Sequence, residues 1–184
     1  VKSVTGKHVY ATYNKLLCLK ERSLEILPFG EIDPKNVEEY YDGTVNVDGK
    51  DVEIDLNFES ESVDNDLLKD VGSVTSKIDS FAKKAWSAIS DDWDLDSESE
   101  TVRFYLQHHL DEFSEEEVVK LFGTSTVDKA VFFSALSLVR IGLYPEDDEM
   151  FSVYDIQLSQ ELTDYLMSVS IGSDGQITGI SFES

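Results

Sequence analysis

Acidic side chains recur at every second position of the segment Asp51–Glu59, where they alternate with apolar ones. Strand side chains point alternately to opposite faces, so the apolar residues face a core and the acidic or amide residues form a row on the other face. No Lys or Arg interrupts this row, and a row of carboxylates attracts cations. The segment therefore predicts a partner-binding surface for a positively charged ligand, comprising Asp51, Glu53, Asp55, Asn57 and Glu59.

Two adjacent histidines are the second set of residues that can do chemistry. His108 and Glu112 are four residues apart, so a helix places them on one face, where both can contact the same metal ion. A catalytic zinc site needs a third protein ligand, and the His-Glu-x-x-His motif is absent. The preferred alternative is structural, with His109 at the edge of the core and His108 paired with a carboxylate. No cofactor is predicted.

Other catalytic and metal-binding motifs are incomplete or missing. Asp92, Asp94 and Asp96 match the first three ligand positions of an EF-hand calcium loop. Ser97 replaces the required glycine and Arg103 replaces the bidentate glutamate, which leaves only loose divalent binding open. A glycine-rich phosphate loop and a Gly-x-Ser-x-Gly motif do not occur. The sequence therefore gives no support for enzymatic activity, although it does not exclude it.

The net charge limits the possible partners. The 184 residues include 38 acidic and 15 basic ones, for a net charge of -23, whereas small soluble domains carry a charge of roughly 2–8 in magnitude. Nucleic acids and anionic membranes are excluded as partners, because binding to either needs Lys and Arg. A basic protein, a metal ion or simple solubility can each explain the acidity.

Cysteine content and hydropathy indicate the compartment. Cys18 is the only cysteine, which excludes an internal disulfide and fits a reducing compartment. No apolar run approaches the ~20 residues needed to span a bilayer. These features predict a cytoplasmic protein.

The charge also divides the chain. Residues 1–23 contain five basic residues against the single acid Glu21, whereas residues 24–184 carry a net charge of -27. This division predicts a basic, poorly ordered extension over residues 1–23 and a single domain over residues 24–184. The alternative is a basic arm that folds over the acidic body. The basic residues of the extension are Lys2, Lys7, Lys15, Lys20 and Arg22.

A predicted hairpin positions the acidic row. Asp48-Gly49 is the preferred centre of a two-residue type I′ turn. This turn pairs Val45 with Val52, so apolar residues oppose apolar ones. It also sets Asp42 opposite Asp55, a like-charge pair that disfavours pairing by up to ~1 kcal/mol. Asp42 therefore joins the predicted surface.

Helical spacing follows the hairpin, and the pattern then changes to strand. A first helix runs from an N-cap at Asp64 to Ala88, Ser114 and Glu117 form the capping box of a later helix, and the last strand has a bulge near Gly179. These elements predict an α+β fold. Its antiparallel sheet combines the N-terminal hairpin with C-terminal strands, and a central block of three to four helices packs on one face. Further predicted helices are Thr101–Phe113 and Val127–Ala135, and further strands are Leu24–Phe29, Leu138–Tyr144, Phe151–Leu158, Tyr165–Ile171 and Gln176–Phe182.

An ordered set of short motifs resembles a bacterial family, the domain of unknown function numbered two thousand and four. The resemblance covers about residues 24–184 and implies a single intracellular α+β domain without an assigned activity. The motifs are Leu27–Asp33, Val52–Glu59, Val102–Leu110, Val139–Pro145, Phe151–Asp155, Leu162–Leu166 and the terminal Glu183-Ser184.

Three functions are compatible with these features. The first is a non-catalytic protein that offers its acidic strand face to a basic protein, as an immunity-type protein or a nucleic-acid mimic does. The second is a metal-binding protein or hydrolase that uses His108 and His109. The third is a structural or oligomerising domain whose acidity only keeps it soluble. The first is preferred, because the acidic row lacks cations and the net charge exceeds what solubility needs.

Overall fold

The computed structural model describes residues 23–95 and 101–184, which form eight strands and five helices. They confirm the predicted α+β class. The strands are β1 (Leu24–Ile26), β2 (Gly30–Ile32), β3 (Tyr40–Val47), β4 (Lys50–Asn57), β5 (Ser137–Leu143), β6 (Ser152–Gln157), β7 (Leu166–Ile171) and β8 (Ile177–Glu183). The helices are α1 (Asn65–Thr75), α2 (Ile78–Asp94), α3 (Val102–Glu112), α4 (Glu115–Phe122) and α5 (Lys129–Ala135).

Six strands form one mixed sheet in the order β3-β4-β5-β6-β7-β8, while β1 and β2 pair separately. The N-terminal hairpin and the C-terminal strands thus share a sheet, as predicted. The prediction that this sheet is antiparallel throughout is wrong at one place, because β4 and β5 are parallel. All five helices lie between these two strands in the chain, and such a long crossover is what a parallel pair requires.

The β3–β4 hairpin has the predicted register. Val45 pairs with Val52, and Asp42 pairs with Asp55. Asp48 and Gly49 have φ values of 49° and 84°, and positive values at both central residues define the type I′ turn. The turn and the apolar alternation therefore fix which side chains of β4 point away from the core.

Among the described residues, the helical block contains five helices instead of three to four, because the predicted helix from Asp64 to Ala88 is divided. Helix α1 ends at Thr75 and α2 begins at Ile78. Gly72 and the serines that follow it have weak helix propensity, which explains the break. Asp64 occupies the N-cap position of α1, although its side chain does not cap the helix.

Two local sequence signals are confirmed. Ser114 and Glu117 form both hydrogen bonds of the capping box at the start of α4. In the last pair of strands, Ser170 pairs with Gly179 and Ile171 with Ile177, so Thr178 is the extra residue of a bulge.

The sheet has an apolar face and a polar face. Val52, Ile54 and Leu56 of β4, and Phe58 directly after it, are at most 3% exposed and belong to the hydrophobic core. Buried residues of the helices complete this core, among them Leu68, Ile89, Tyr105 and Phe132. The alternate residues of the strands form the other side of the sheet, which we call the polar face.

The small β1–β2 hairpin packs beside β3. A Cβ atom on Gly43 would lie 2.6 Å from Cγ of Pro28, so the absence of a side chain at Gly43 permits this contact. Ile26 and Ile32 of the hairpin are buried in the core. The hairpin therefore covers the apolar side of β3, which is an edge strand of the six-stranded sheet.

The predicted basic extension covers residues 1–23, of which residues 1–22 lie outside the described residues. Within residues 23–95 and 101–184, no helix combines the length and apolar character that crossing a membrane requires.

Candidate functional site: the polar face of the sheet

Arg140 lies at the centre of the polar face and binds two carboxylates from the neighbouring strands. Its Nε and Nη2 atoms donate to the two carboxylate oxygens of Asp55 on β4, at 2.6 and 2.8 Å. Its Nη1 atom donates to Oδ2 of Asp155 on β6, at 2.9 Å. Both carboxylate side chains are buried, whereas the Arg140 side chain is 35% exposed. The paired fork on Asp55 is the strong bidentate geometry.

Side-chain hydrogen bonds complete this Arg140 network. Ser168 donates to Oδ1 of Asp155 at 2.6 Å, and Asn57 donates to Oδ2 of Asp55 at 2.6 Å. Each carboxylate oxygen of the network therefore has a partner, as buried charges require. The hydroxyl of Tyr144 accepts a further hydrogen bond from Arg140 at 2.8 Å.

The network corrects the sequence-based description of the acidic row. Asp55 is not a bare surface carboxylate, because it is 4% exposed and neutralised by Arg140. Asn57 is bound to Asp55 and is only partly exposed. The pattern of a single strand cannot show this cation. Arg140 is 85 residues from Asp55 in the chain and reaches it only through the β4–β5 pairing.

The two carboxylates keep Arg140 charged. Burial alone would lower the pKa of Arg140, but the hydrogen bonds that it donates to Asp55, Tyr144 and Asp155 raise this pKa above its ordinary value. Two carboxylates share this one guanidinium, so the network as a whole retains an excess of negative charge.

Gly142 makes room for the network. A Cβ atom at this position would lie 2.8 Å from Cε2 of Tyr144 and 3.0 Å from Nη2 of Arg140. The side chains of Arg140 and Tyr144 thus converge over a residue without a side chain, which is the close approach that glycine allows.

Four of the predicted surface residues do remain exposed carboxylates: Asp42, Asp51, Glu53 and Glu59. Within the described part of the chain, none of them forms a salt bridge. The surrounding negative charge affects the neighbouring Tyr40. Desolvation raises the pKa of Tyr40, and the charges of Asp55, Asp42 and Glu53 raise it further. In the strands of the six-stranded sheet, the described cations are Lys50 at the hairpin turn and Arg140.

An acidic cleft of about 460 Å³ continues from the polar face past the end of β5. Glu146 braces one wall, because its carboxylate accepts hydrogen bonds from the backbone N–H groups of Glu59 and Ser60. Burial would raise the pKa of Glu146, but these bonds and the Ser60 hydroxyl lower it overall. Apolar and acidic side chains both line the cleft: Glu39, Asn57, Phe58, Glu59, Tyr144, Glu146, Asp147, Met150 and Val153.

The predicted metal candidates lie on the other side of the molecule, on α3. Nε2 of His108 is 3.5 Å from Oε2 of Glu112, so the structure does bring this pair together. Among residues 23–95 and 101–184, however, no three His, Cys, Asp or Glu side chains are close enough to hold a metal ion together. The ring of His108 instead contacts the rings of Phe104, Tyr165 and Phe182.

His109 is a buried structural residue. It is 1% exposed, its Nδ1–H donates to the carbonyl of Tyr105 at 2.7 Å, and its Nε2 accepts from the hydroxyl of Thr163 at 2.9 Å. Burial is the main cause that lowers the pKa of His109, so the neutral ring is favoured. Both ring nitrogens are occupied, which leaves neither available to a metal or a substrate.

The candidate calcium segment has structural contacts as well. Oδ2 of Asp92 accepts a hydrogen bond from the backbone N–H of Val102 at 3.0 Å, and Asp94 forms a salt bridge with Lys129 at 2.7 Å. Both aspartates belong to the last turn of α2. Asp96, the third candidate ligand, lies outside the described residues.

Comparisons with protein-family models, curated proteins and solved structures found no match for this chain. The resemblance to the family of unknown function numbered two thousand and four stays a prediction.

Sequence reasoning missed the centre of the site. Arg140, Asp155 and Ser168 occupy successive strands and meet only through the sheet register, in which Arg140 pairs with Asp155 and Asp155 with Ser168. One available signal was Arg140 itself, a lone cation in a predicted strand of otherwise uncharged residues. A charge at such a position calls for a partner on an adjacent strand.

Proposed function

We propose that this protein is a non-catalytic binding protein that receives a basic protein partner on the polar face of its sheet. The observation that carries the proposal is the set of exposed carboxylates on β3 and β4, which have no salt-bridge partner among the described residues. Asp42, Asp51 and Glu53 lie beside the Arg140 network, whose own charge is also negative in sum. Apart from Lys50 at the hairpin turn, the only cation in the described strands of this sheet is Arg140, and two carboxylates already bind its guanidinium.

The strands that carry the exposed carboxylates are held rigidly, which favours recognition of a partner. The Arg140 network joins β4, β5 and β6 through charge-assisted hydrogen bonds, so the carboxylates beside it project from a fixed framework. Complementary charge on a fixed surface raises association rates and makes them sensitive to salt. An immunity-type protein against a cationic toxin and a nucleic-acid mimic both use this kind of surface.

The same contacts argue against general acid–base catalysis on this face. Asp55 and Asp155 are the buried carboxylates of the polar face, and each is bound by Arg140. A general base needs a free acceptor within hydrogen-bond reach of a substrate proton. The bound carboxylates instead hold the strands in register.

A capture experiment tests the proposal with two matched variants. The face variant carries Asp42→Asn, Asp51→Asn and Glu53→Gln, while the control variant carries Asp70→Asn, Asp79→Asn and Glu116→Gln on exposed helix positions. Each variant loses two aspartates and one glutamate, so the change in net charge is the same.

The immobilised proteins are exposed to lysate at about 0.05 M and about 1 M salt, where the Debye length falls to roughly 3 Å. We expect the wild-type protein and the control variant to retain a basic protein at low salt only, and the face variant to lose it. Equal retention by the two variants, or no basic protein at low salt, would overturn the proposal.

A further inference from the structure

One edge of the six-stranded sheet is open along the whole of β3. This strand pairs with β4 in an unbroken register of eight residue pairs, and no described strand lies on its other side. β1 and β2 pair only with each other, and their hairpin lies over the apolar side of β3. The backbone of β3 therefore carries a row of polar groups to which the described sheet supplies no partner.

The hairpin turn fixes which backbone groups of β3 point outward. Val47 and Lys50 flank the two-residue turn and exchange backbone hydrogen bonds, and along an antiparallel pair such residue pairs alternate with pairs that exchange none. The bond from the N–H of Phe58 to the carbonyl of Glu39 continues this alternation beyond the end of β4. The even-numbered residues of β3 thus direct their N–H and C=O groups away from β4. Among residues 23–95 and 101–184, these groups have no backbone hydrogen-bond partner: Tyr40, Asp42, Thr44 and Asn46.

The opposite edge of the sheet, β8, is built differently. It contains the bulge at Thr178, and the hydroxyl of Thr101 donates to the carbonyl of Ile180 at 3.5 Å. Bulges and covering segments are features that keep an edge strand from pairing with another chain, as are prolines and lysines. β3 has no bulge, no proline and no lysine, and Asp42 is its only charged residue. Its edge is therefore able to accept a further strand.

We propose that β3 receives an extended segment of the basic partner as an additional strand. In this mode of recognition, backbone hydrogen bonds give affinity, and the alternate side chains of the added strand give specificity. The inference rests on the proposed function for the charge of the partner. It assigns the binding itself to the backbone edge of β3 instead of to the carboxylates.

The two sides of β3 determine which side chains the added strand would carry. On the polar side, Asp42 would lie directly beside it, and Glu53 of β4 would be two strand spacings away, about 10 Å, which is the Debye length at about 0.1 M salt. On the apolar side, Tyr41 and Val45 are half-buried, and Leu27 of the neighbouring hairpin is 72% exposed. The edge thus fits a segment in which cationic residues alternate with apolar ones.

A second copy of this chain fits the same edge poorly. Pairing of β3 with β3 of another copy would join the two polar faces on one side of a continuous sheet, and each copy carries a net charge of -23. Like charges on adjacent strands destabilise their pairing, and the two chains repel each other as a whole. Charge complementarity therefore selects a basic segment.

Amide hydrogen exchange in the full chain tests the inference with a defined peptide. The probe is a peptide as long as β3, eight residues, in which Lys and Val alternate. The control peptide is N-methylated at every backbone amide, so it keeps the charges and loses the N–H groups that strand pairing needs. At low salt, and with free probe at about ten times its Kd, we expect exchange at the four outward amides to slow roughly tenfold. The control peptide should leave it unchanged.

A variant of the edge gives a second measurement. Thr44→Pro removes an outward N–H and spares the bonds to β4, which is the position where an edge strand tolerates proline. Thr44→Ala is the matched control, because it loses the same hydroxyl and keeps the N–H. The proline variant should bind the probe at least roughly fivefold more weakly than the alanine variant. Exchange at the inward amide of Val45 shows whether each variant retains the β3–β4 pairing.

Several results would overturn the inference. One is equal slowing by the probe and the N-methylated peptide, which would assign the effect to charge alone. Others are no slowing by the probe, and equal affinity of the proline and alanine variants for it. Outward amides that are already protected in the free protein would also overturn it, and loss of this protection on dilution would identify a second copy as the occupant.

The capture experiment separates this inference from the proposed function. A basic protein that Thr44→Pro retains as fully as the wild-type protein does would uphold the proposed function and overturn the inference. Slowed exchange at the edge of β3 with the probe, while no basic protein is captured from lysate, would do the reverse.

Discussion

At the scale of single residues, Arg140 decides the character of the polar face. It converts Asp55 and Asp155 from two repelling buried carboxylates into a satisfied network, with Ser168 and Asn57 completing the hydrogen bonds. A buried ion pair is not by itself a source of stability, since desolvation offsets its attraction. Removing one partner is costly, however, because the other charges stay buried.

Substitution of Arg140 tests this role. Arg140→Met leaves Asp55 and Asp155 without a cation, and we expect the free energy of unfolding to fall by about 3 kcal/mol, at the low end for such pairs because Arg140 is partly exposed. Denaturant unfolding at neutral pH measures the change. Adding Asp55→Asn and Asp155→Asn to the variant should recover much of the loss. An Arg140→Met protein as stable as the wild type would contradict the role assigned to the network.

His109 gives a prediction on pH. Burial lowers its pKa in the folded protein, so the unfolded chain binds a proton near pH 6.5 while the folded protein resists it. Stability from this group is therefore complete above that pH and is lost as the pH falls below it. Urea unfolding at pH 7.5 and 5.5 should show a smaller loss for His109→Gln than for the wild-type protein. Equal losses would mean that His109 titrates normally in the fold.

At the scale of elements, the sequence could predict what neighbouring residues determine. The β3–β4 register follows from Asp48-Gly49 and from local alternation, and the start of α4 follows from Ser114 and Glu117. The parallel β4–β5 pair could not be predicted in this way, because it depends on how the helices pack between the two strands. The pairing of Arg140 with Asp55 was missed for the same reason.

Replacing either of two glycines by alanine should change the free energy of unfolding, but in opposite directions. Gly72 is in helix α1 with open space at its Cβ position, so Gly72→Ala should raise the free energy of unfolding by about 0.5–1 kcal/mol. Gly123 follows the last residue of α4 and has a φ of 71°, a conformation that costs alanine about 1 kcal/mol. Gly123→Ala should therefore lower the free energy of unfolding. Denaturant unfolding of both variants provides the comparison. Changes of the same sign would contradict the helix ends described above.

At the scale of the whole molecule, the net charge of -23 opposes compactness through self-repulsion. Screening weakens this repulsion, while the buried Arg140 network is screened much less. The free energy of unfolding should therefore rise as NaCl is increased from about 0.05 to 0.5 M. Thermal or denaturant unfolding across this range measures it. A decrease with salt would indicate that surface ion pairs outweigh the repulsion.

Composition predicted the sign of the polar face but not its detailed surface. Four carboxylates of the predicted set are exposed, whereas Asp55 is buried and neutralised. The acidic cleft beside Tyr144 and Glu146 was also missed, because its walls come from separate parts of the chain. Exposure and pairing are properties of the assembled sheet, and alternation within one strand cannot supply them.

The central claim is that cations bind the polar face in preference to the other acidic surfaces. Its most direct test is to titrate a short Lys- and Arg-rich peptide into the isotope-labelled full chain at low salt and to follow the amide chemical shifts. We predict that the largest shifts cluster on β3 and β4 around Asp42, Asp51 and Glu53, and that the face variant loses them while the control variant retains them. Shifts spread equally over the acidic helix surfaces around Asp70, Asp79 and Glu116 would contradict the claim.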